Sequence, residues 1–318
     1  MLSRHADALY WMGRYVDRAE DTARMLDVTY HNLLESPPEE EATAWHQLLE
    51  VLHLHEAYED REVSGRAVSH FLVLDEDNPG SIVAAVGRAR DNAMRVRDRI
   101  STDVWEAMNT FYLHLAGLDL AAELERRPYE VFRMVKNRCQ LLTGVGGQTM
   151  LRDDGYRFIL LGQFLERAEM TCRLLAVRYA RLLQEEGPMV FHSWLAVLMS
   201  VSAFEAYLKE HDAAFDPAQV LEFLLLSPDF PRSVLYGLRQ AERQLDRLVP
   251  HDRRTTLERT LGRVRARIEY CDIAAVLDSG LDQFLESLQR DIYEISAAVD
   301  IHFFRSGADL QLNAIEST

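Results

Sequence analysis

Two short stripes hold the side chains best suited to chemistry. Gly13, Asp17, Glu20 and Arg24 follow one another at steps of four, three and four, and Gly162, Glu166, Glu169 and Arg173 repeat that spacing. On an α-helix this spacing places each set along one flank. Carboxylates so placed can transfer protons, and guanidinium groups beside them can orient a carboxylate or an acyl phosphate. Glu20, Glu166 and Glu169 are therefore the candidate catalytic groups, with Asp17, Arg24 and Arg173 as candidate binding groups. The plainer reading makes Glu20–Arg24 and Glu169–Arg173 i,i+4 ion pairs at a helix crossing. A glycine inside a helix costs roughly 1 kcal/mol against alanine, so Gly13 and Gly162 point to close approach of another backbone or a ligand. The two readings are compatible, because a pair buried at an interface can also line a cleft. Metal binding is not expected, since di-metal bundles use Glu-x-x-His pairs and no histidine follows either glutamate at that spacing.

Arg18 and Arg167 fall on the far side of the helix from the stripe, close to Thr22 and Thr171. Their recurrence points to a real partner, such as a carboxylate on a neighbouring helix. In Asn78–Ser101, Arg90 and Arg97 share one face and Arg88, Asn92, Arg95 and Arg99 another. That cluster suits a phosphate or carboxylate ligand, or pairing with the surplus acids. Gly144–Asp154 reads as a glycine-rich loop that lacks P-loop spacing. Thr149 or Asp153 would cap the next helix, and Arg152 and Asp153 flank backbone N–H groups that could receive an anion. His46, Glu50 and His53 have spacing that could suit a metal ion, but a solvated face explains them better. No nucleophile signature is present.

These residues must be positioned by helices. Apolar residues recur at spacings of three and four, giving about a dozen helices and no convincing strand. Two are long, Ser3–Leu34 and Arg152–Leu183. Met12, Val16, Ala19, Ala23, Leu26 and Tyr30 form the apolar face of the first, and Leu161, Leu165, Ala168, Cys172, Leu175 and Tyr179 that of the second. Asn78 and Asp216, each followed by proline, look like helix starts, and Gly187-Pro188 and Pro250 look like breaks.

An internal repeat underlies both stripes. Gly13–Val28 and Gly162–Val177 agree at eight of sixteen positions, and Trp45 and Trp194 keep the same offset of 149. The expectation is an all-α bundle of two tandem homologous halves, 1–149 and 150–306, related by a pseudo-two-fold axis within one compact unit. Residues 307–318 read as a frayed tail.

Composition narrows the classes. Of the 318 residues 48% are hydrophobic and 27% charged, which is ordinary for a soluble globular protein. A net charge of −16 argues against nucleic acid. The three cysteines form no disulfide or zinc pattern. No apolar leader or membrane-length stretch appears, so the cytoplasm is the expected location.

The segments LSRHADALYWMGRYVDRAEDTARMLDV, NPGSIVAAVGRARDNAMRVRDRIS, TMLRDDGYRFILLGQFLERAEMTCRLL and FLLLSPDFPRSV resemble the alpha-E family over nearly the whole chain. That family is named for a Glu-Arg motif, matched here by Glu166-Arg167; the first copy departs with Asp17-Arg18. The resemblance implies a neighbouring or fused circularly permuted ATP-grasp protein, and a transglutaminase-like or proteolytic protein nearby. It thereby implies a role in ATP-dependent peptide synthesis or modification, with ATP and Mg reaching the system through the partner and no cofactor bound by this chain. Three readings follow: a component that binds the ligase or its peptide substrate, a catalytic subunit using the Glu/Arg stripe, and a structural scaffold.

Overall fold

The structure, a computed structural model, describes residues 1–35, 37–58, 61–182, 188–211, 216–249 and 255–305. These form fifteen α-helices: α1 Ser3–Glu35, α2 Glu41–Val51, α3 Gly65–Val73, α4 Ile82–Arg95, α5 Thr102–Gly117, α6 Leu120–Arg126, α7 Pro128–Thr149, α8 Asp154–Leu182, α9 Pro188–Ser200, α10 Phe204–Glu210, α11 Pro217–Leu226, α12 Val234–Leu248, α13 Thr256–Glu269, α14 Ile273–Ser279 and α15 Leu281–Val299. No strand occurs among the described residues. The breaks expected at Gly187 and Pro250, the helix end at Leu183 and the tail after Ser306 lie outside them.

The two long helices form the axis of the molecule. α1 and α8 pack against each other, with α4 and α7 on α1 and α12 and α15 on α8. The apolar faces read from the sequence drive this assembly. Val16, Ala19, Ala23, Leu26, Leu161, Leu165, Ala168, Cys172 and Leu175 are all buried. Each large aliphatic side chain removed from water in this way contributes roughly 1.5–3 kcal/mol. One continuous cluster of buried side chains runs from Ala6 to Val299.

Local signals place the helix starts. Ser81 accepts from the Ala84 N–H to cap α4, and Ser233 accepts from the Tyr236 N–H to cap α12. Asp216 caps α11 with Pro217 behind it, and Asp153 accepts from the Tyr156 N–H at 3.2 Å to open α8. Asn78 caps no helix. Its side chain instead accepts from the Gly80 N–H and donates to Phe71 O, fixing the turn before α4.

The end of α7 also departs from expectation. Gly144–Thr149 is not a loop but the last turns of α7, and the chain turns only after Thr149. Cys139, Leu142 and Gly146 continue the buried face of α7. A Cβ on Gly146 would lie in ordinary contact with Val104 of α5, at 3.8 Å. Packing of this face, Gly146 included, against α5 keeps the segment helical despite the low intrinsic propensity of its glycines. No helix among the described residues is long and apolar enough to cross a membrane.

Candidate functional site

The crossing of α1 and α8 is set by its two glycines. A Cβ on Gly13 would overlap the carbonyl oxygen of Ile159, and one on Gly162 would overlap that of Tyr10. Each backbone thus presses on the other where no side chain intervenes. This proximity brings the polar flanks of both helices within reach of one another.

The flanks then interlock. Arg167 grips Asp17 through Nε at 2.6 Å and Nη2 at 3.2 Å. Reciprocally, Arg18 grips Glu166 through Nε at 2.7 Å and Nη2 at 3.1 Å. Both are two-point guanidinium–carboxylate contacts, the strongest geometry for such a pair. Arg18 and Arg167 are therefore not turned away from the stripes, as expected. Each reaches past its own helix to the acid of the other, which is possible because the glycine crossing brings the backbones so close.

Beyond this seam the two flanks differ. On one, Arg14 donates to Glu166 at 2.5 Å and also pairs with Glu169, which pairs with Arg173 of its own helix. Arg14 further donates to Tyr10 and Ser296, each at 3.2 Å. On the other flank Gln163 replaces the arginine and bonds Asp17 and Thr143. Here the extra guanidinium comes from Arg232, in the turn before α12, which donates to Asp21 at 2.5 Å and Glu20 at 3.0 Å. Thr171 of α8 holds that turn by donating to Arg232 O at 2.8 Å. Arg24 pairs with Glu20 and donates to Ser202. On this flank lies a cleft of about 260 Å³ lined by Glu20, Arg24, Gln140, Thr143, Arg167, Ser202, Pro231 and Arg232.

Burial and charge pull the acids apart. Burial raises Asp17 to about 6 against the opposing charge of Arg167. Burial also acts to raise Glu166, but Arg14 and Arg18 outweigh it and bring that carboxyl down to about 2. Glu20 is lowered because Arg232 and Arg24 together overcome its burial, while burial keeps Asp21 raised. Arg24 is less willing to hold its proton than an ordinary arginine, because burial and the charge of Arg232 both act against it. These are carboxylates fixed by ion pairs, with Glu166 poorly suited to proton transfer near neutrality.

Other residues singled out from the sequence lie elsewhere. Arg90 donates to Asn109 and packs over Trp105 and Tyr112, and Arg97 packs over Trp105. Arg152 donates to Gly147 O and stacks on Tyr156 beside the Asp153 cap. The structure does not bring these four into the cleft. His46 and Glu50 are exposed on α2 while His53 sits past its end, and no group of metal-ligating residues forms among the described residues.

Sequence reasoning passed over Arg14, Arg232, Gln163, Gln140 and Ser202. Arg14 and Gln163 occupy matching positions of the repeated segment but differ, so a search for agreement discards them. Arg232 belongs to no helical period, because it enters from a turn. A usable signal was available in the exchange itself, an arginine lost at 163 and one present at 232.

Known proteins place this geometry in context. Residues 1–304 match the Alpha-E family, described as a predicted alpha-helical domain with a conserved ER motif. Relatives in Mycobacterium tuberculosis (strain H37Rv) and Mycobacterium bovis, both named only as uncharacterized proteins, are 26% identical over 286 residues. Each match covers 82% of this chain but 31% of the relative, so the chain spans about a third of their length. No solved structure matches. Glu166 and Arg167, an adjacent Glu-Arg pair, are each bonded across the glycine crossing to the other long helix, and the chain belongs to the Alpha-E family.

Proposed function

We propose that this chain is a cytoplasmic, non-catalytic component of an ATP-grasp-dependent system that forms amide bonds on a peptide, binding the ligase, its peptide substrate, or both. The observation that carries this reading is the state of the stripe carboxylates. Asp17, Glu20, Glu166 and Glu169 all pair with guanidinium groups, so the seam has no free base to offer a substrate. What the seam offers is donor groups along a cleft, which suits recognition. ATP and Mg enter through the ATP-grasp partner, and a transglutaminase-like protein belongs to the same setting. The greater length of the relatives leaves room for a second component within one polypeptide.

The reciprocal contacts also favour descent of the two halves, 1–149 and 150–306, from a tandem duplication with pseudo-two-fold packing. Arg18–Glu166 answers Arg167–Asp17, and Gly13 on Ile159 answers Gly162 on Tyr10, all at the offset of 149 seen in the sequence. His53 and Ser202, also 149 apart, share a left-handed backbone with φ of 55° and 52°.

The test is co-expression with the ATP-grasp protein, size-exclusion chromatography, and ATP turnover with and without this chain. Co-elution at fixed stoichiometry with stimulated turnover is expected. Separate elution with unchanged turnover would overturn the reading. A catalytic role predicts instead that Glu169→Gln changes the pH–rate profile of the complex.

A further inference from the structure

We infer that the cleft between α1, α7, α8 and the turn before α12 is a binding site for a single oxyanion group, a carboxylate or a phosphate. This deepens the peptide-binding reading above and rests on it for the choice of source. The wall carries three guanidinium groups, Arg24, Arg167 and Arg232, against one carboxylate, Glu20. Its remaining polar lining, Gln140, Thr143 and Ser202, consists of amide and hydroxyl groups able to donate. The acids that balance the arginines, Asp17 and Asp21, are recessed behind this wall at 0% and 2% exposure.

The donors are also incompletely used. Arg167 spends Nε and Nη2 on Asp17, and its Nη1 bonds nothing among the described residues. Arg232 spends both terminal nitrogens on Asp21 and Glu20, and its Nε is likewise unbonded there. Arg24 is 5% exposed, and its Nε is buried with no hydrogen-bond partner, the nearest acid being Asp21 at 3.8 Å. A buried charged donor left unsatisfied is costly. Arg24 Nε is such a buried donor, and together with the unbonded nitrogens of Arg167 and Arg232 around a cleft of about 260 Å³ it leaves the site short of an acceptor. The charge conflict between Arg24 and Arg232 has the same remedy, because an anion between them offsets their repulsion.

The opposite flank supplies an internal comparison. There Arg14 takes up Glu166 through Nε and Glu169 through Nη2, and its Nη1 donates to Tyr10 and Ser296, so all three of its nitrogens are used within the protein. The chain is thus equipped for one such ligand at this crossing. The neighbouring apolar cavity, which shares Thr143, is much smaller, at about 30 Å³.

Two sources present this chemistry, the free carboxylate of a peptide and a phosphate. The experiment is calorimetric titration of the full chain with inorganic phosphate, with an N-acetylated dipeptide bearing a free C-terminus, and with its C-terminally amidated twin. Two variants control the site without removing a buried charge. Gln140→Glu sets a negative charge at the exposed rim, and Ser202→Asp offers Arg24 a carboxylate of the protein's own at a backbone position aspartate tolerates. Binding of the free-acid peptide or of phosphate, weakened at least tenfold in both variants while each stays folded by circular dichroism, is expected. Gln140→Glu replaces the amide that donates to Glu20 at 3.3 Å, so its melting temperature falls somewhat. Preference for the free acid over its twin assigns the carboxylate source, and phosphate binding alone assigns the other. No binding of either probe, or binding unchanged by both variants, would overturn the inference. Co-elution of Gln140→Glu with the ATP-grasp protein is read separately, so loss of the site and loss of the partnership are distinguishable.

Discussion

The Arg167 guanidinium holds the Asp17 carboxylate at two points, 2.6 and 3.2 Å, across the crossing of α8 and α1, and Asp17 has no exposure to solvent. Removing the cation strands a buried anion. Arg167→Ala is expected to cost about 3–5 kcal/mol at neutral pH, the usual result of breaking one side of a buried pair. Urea unfolding at pH 7 measures it. The double variant Asp17→Asn/Arg167→Ala should recover part of the loss, because no charge is then left unpaired.

The glycine crossing makes a second demand. Gly13→Ala and Gly162→Ala each force a methyl group into a carbonyl oxygen of the opposite helix, and backbone cannot rotate away as a side chain can. Each should destabilise by at least the 1–3 kcal/mol typical of overpacking, roughly, despite the better helix propensity of alanine. Gly144→Ala is the control: nothing lies within 4 Å of its added Cβ, so it should be neutral or stabilising. Melting temperatures separate the three.

Stability should depend on pH in two opposed windows. Asp17 is raised from 3.8 to about 6 by burial, so the folded chain keeps a proton there that the unfolded chain has lost. Stability therefore falls as pH rises from about 4 to 6. Glu166 is lowered from 4.5 to about 2 by Arg14 and Arg18 against its burial, so its contribution is present above its ordinary value and is lost as pH falls through that window. These two groups together place their best pH at about 4–5. Asp17→Asn should reduce the decline between pH 4 and 6, leaving the part due to Asp21, which burial also raises, and a slope unchanged in that variant would show that Asp17 is not responsible.

Thiol chemistry should be slow and selective. Cys139 and Cys172 are fully buried, and burial raises both thiols well above their ordinary value, so neither supplies thiolate near pH 7. Cys271 is partly accessible, although burial raises it too. A chromogenic disulfide reagent should modify Cys271 first and reach the other two only on unfolding, as peptide mass mapping would show.

The acid–arginine dipeptides of the two long helices illustrate where sequence reading stopped. Glu166-Arg167 and Asp17-Arg18 are legible as recurring acid–base dipeptides, and the i,i+4 pairs Glu20–Arg24 and Glu169–Arg173 form as their spacing requires. Yet adjacent residues on a helix point about 100° apart, so spacing alone sends Arg18 away from Glu20. Only the neighbouring helix brings Glu166 to it. The glycine-rich end of α7 failed for a related reason, since local propensity favours a loop there and the packing face of α5 that overrides it is remote in sequence.

The sequence by itself determined the helices, their apolar faces, the aspartate caps at Asp153 and Asp216, and the recurrence of polar stripes on the two long helices. These depend on short-range periodicity and on backbone groups a few residues away. The tertiary structure alone decided which arginine serves which acid, that Arg232 enters from a turn, and that a cleft opens between Arg24, Arg167 and Arg232. Long guanidinium side chains bridge elements 150 or more residues apart in the chain, as Arg167 does to Asp17. No local rule counts those distances; the close approach of two glycines sets them.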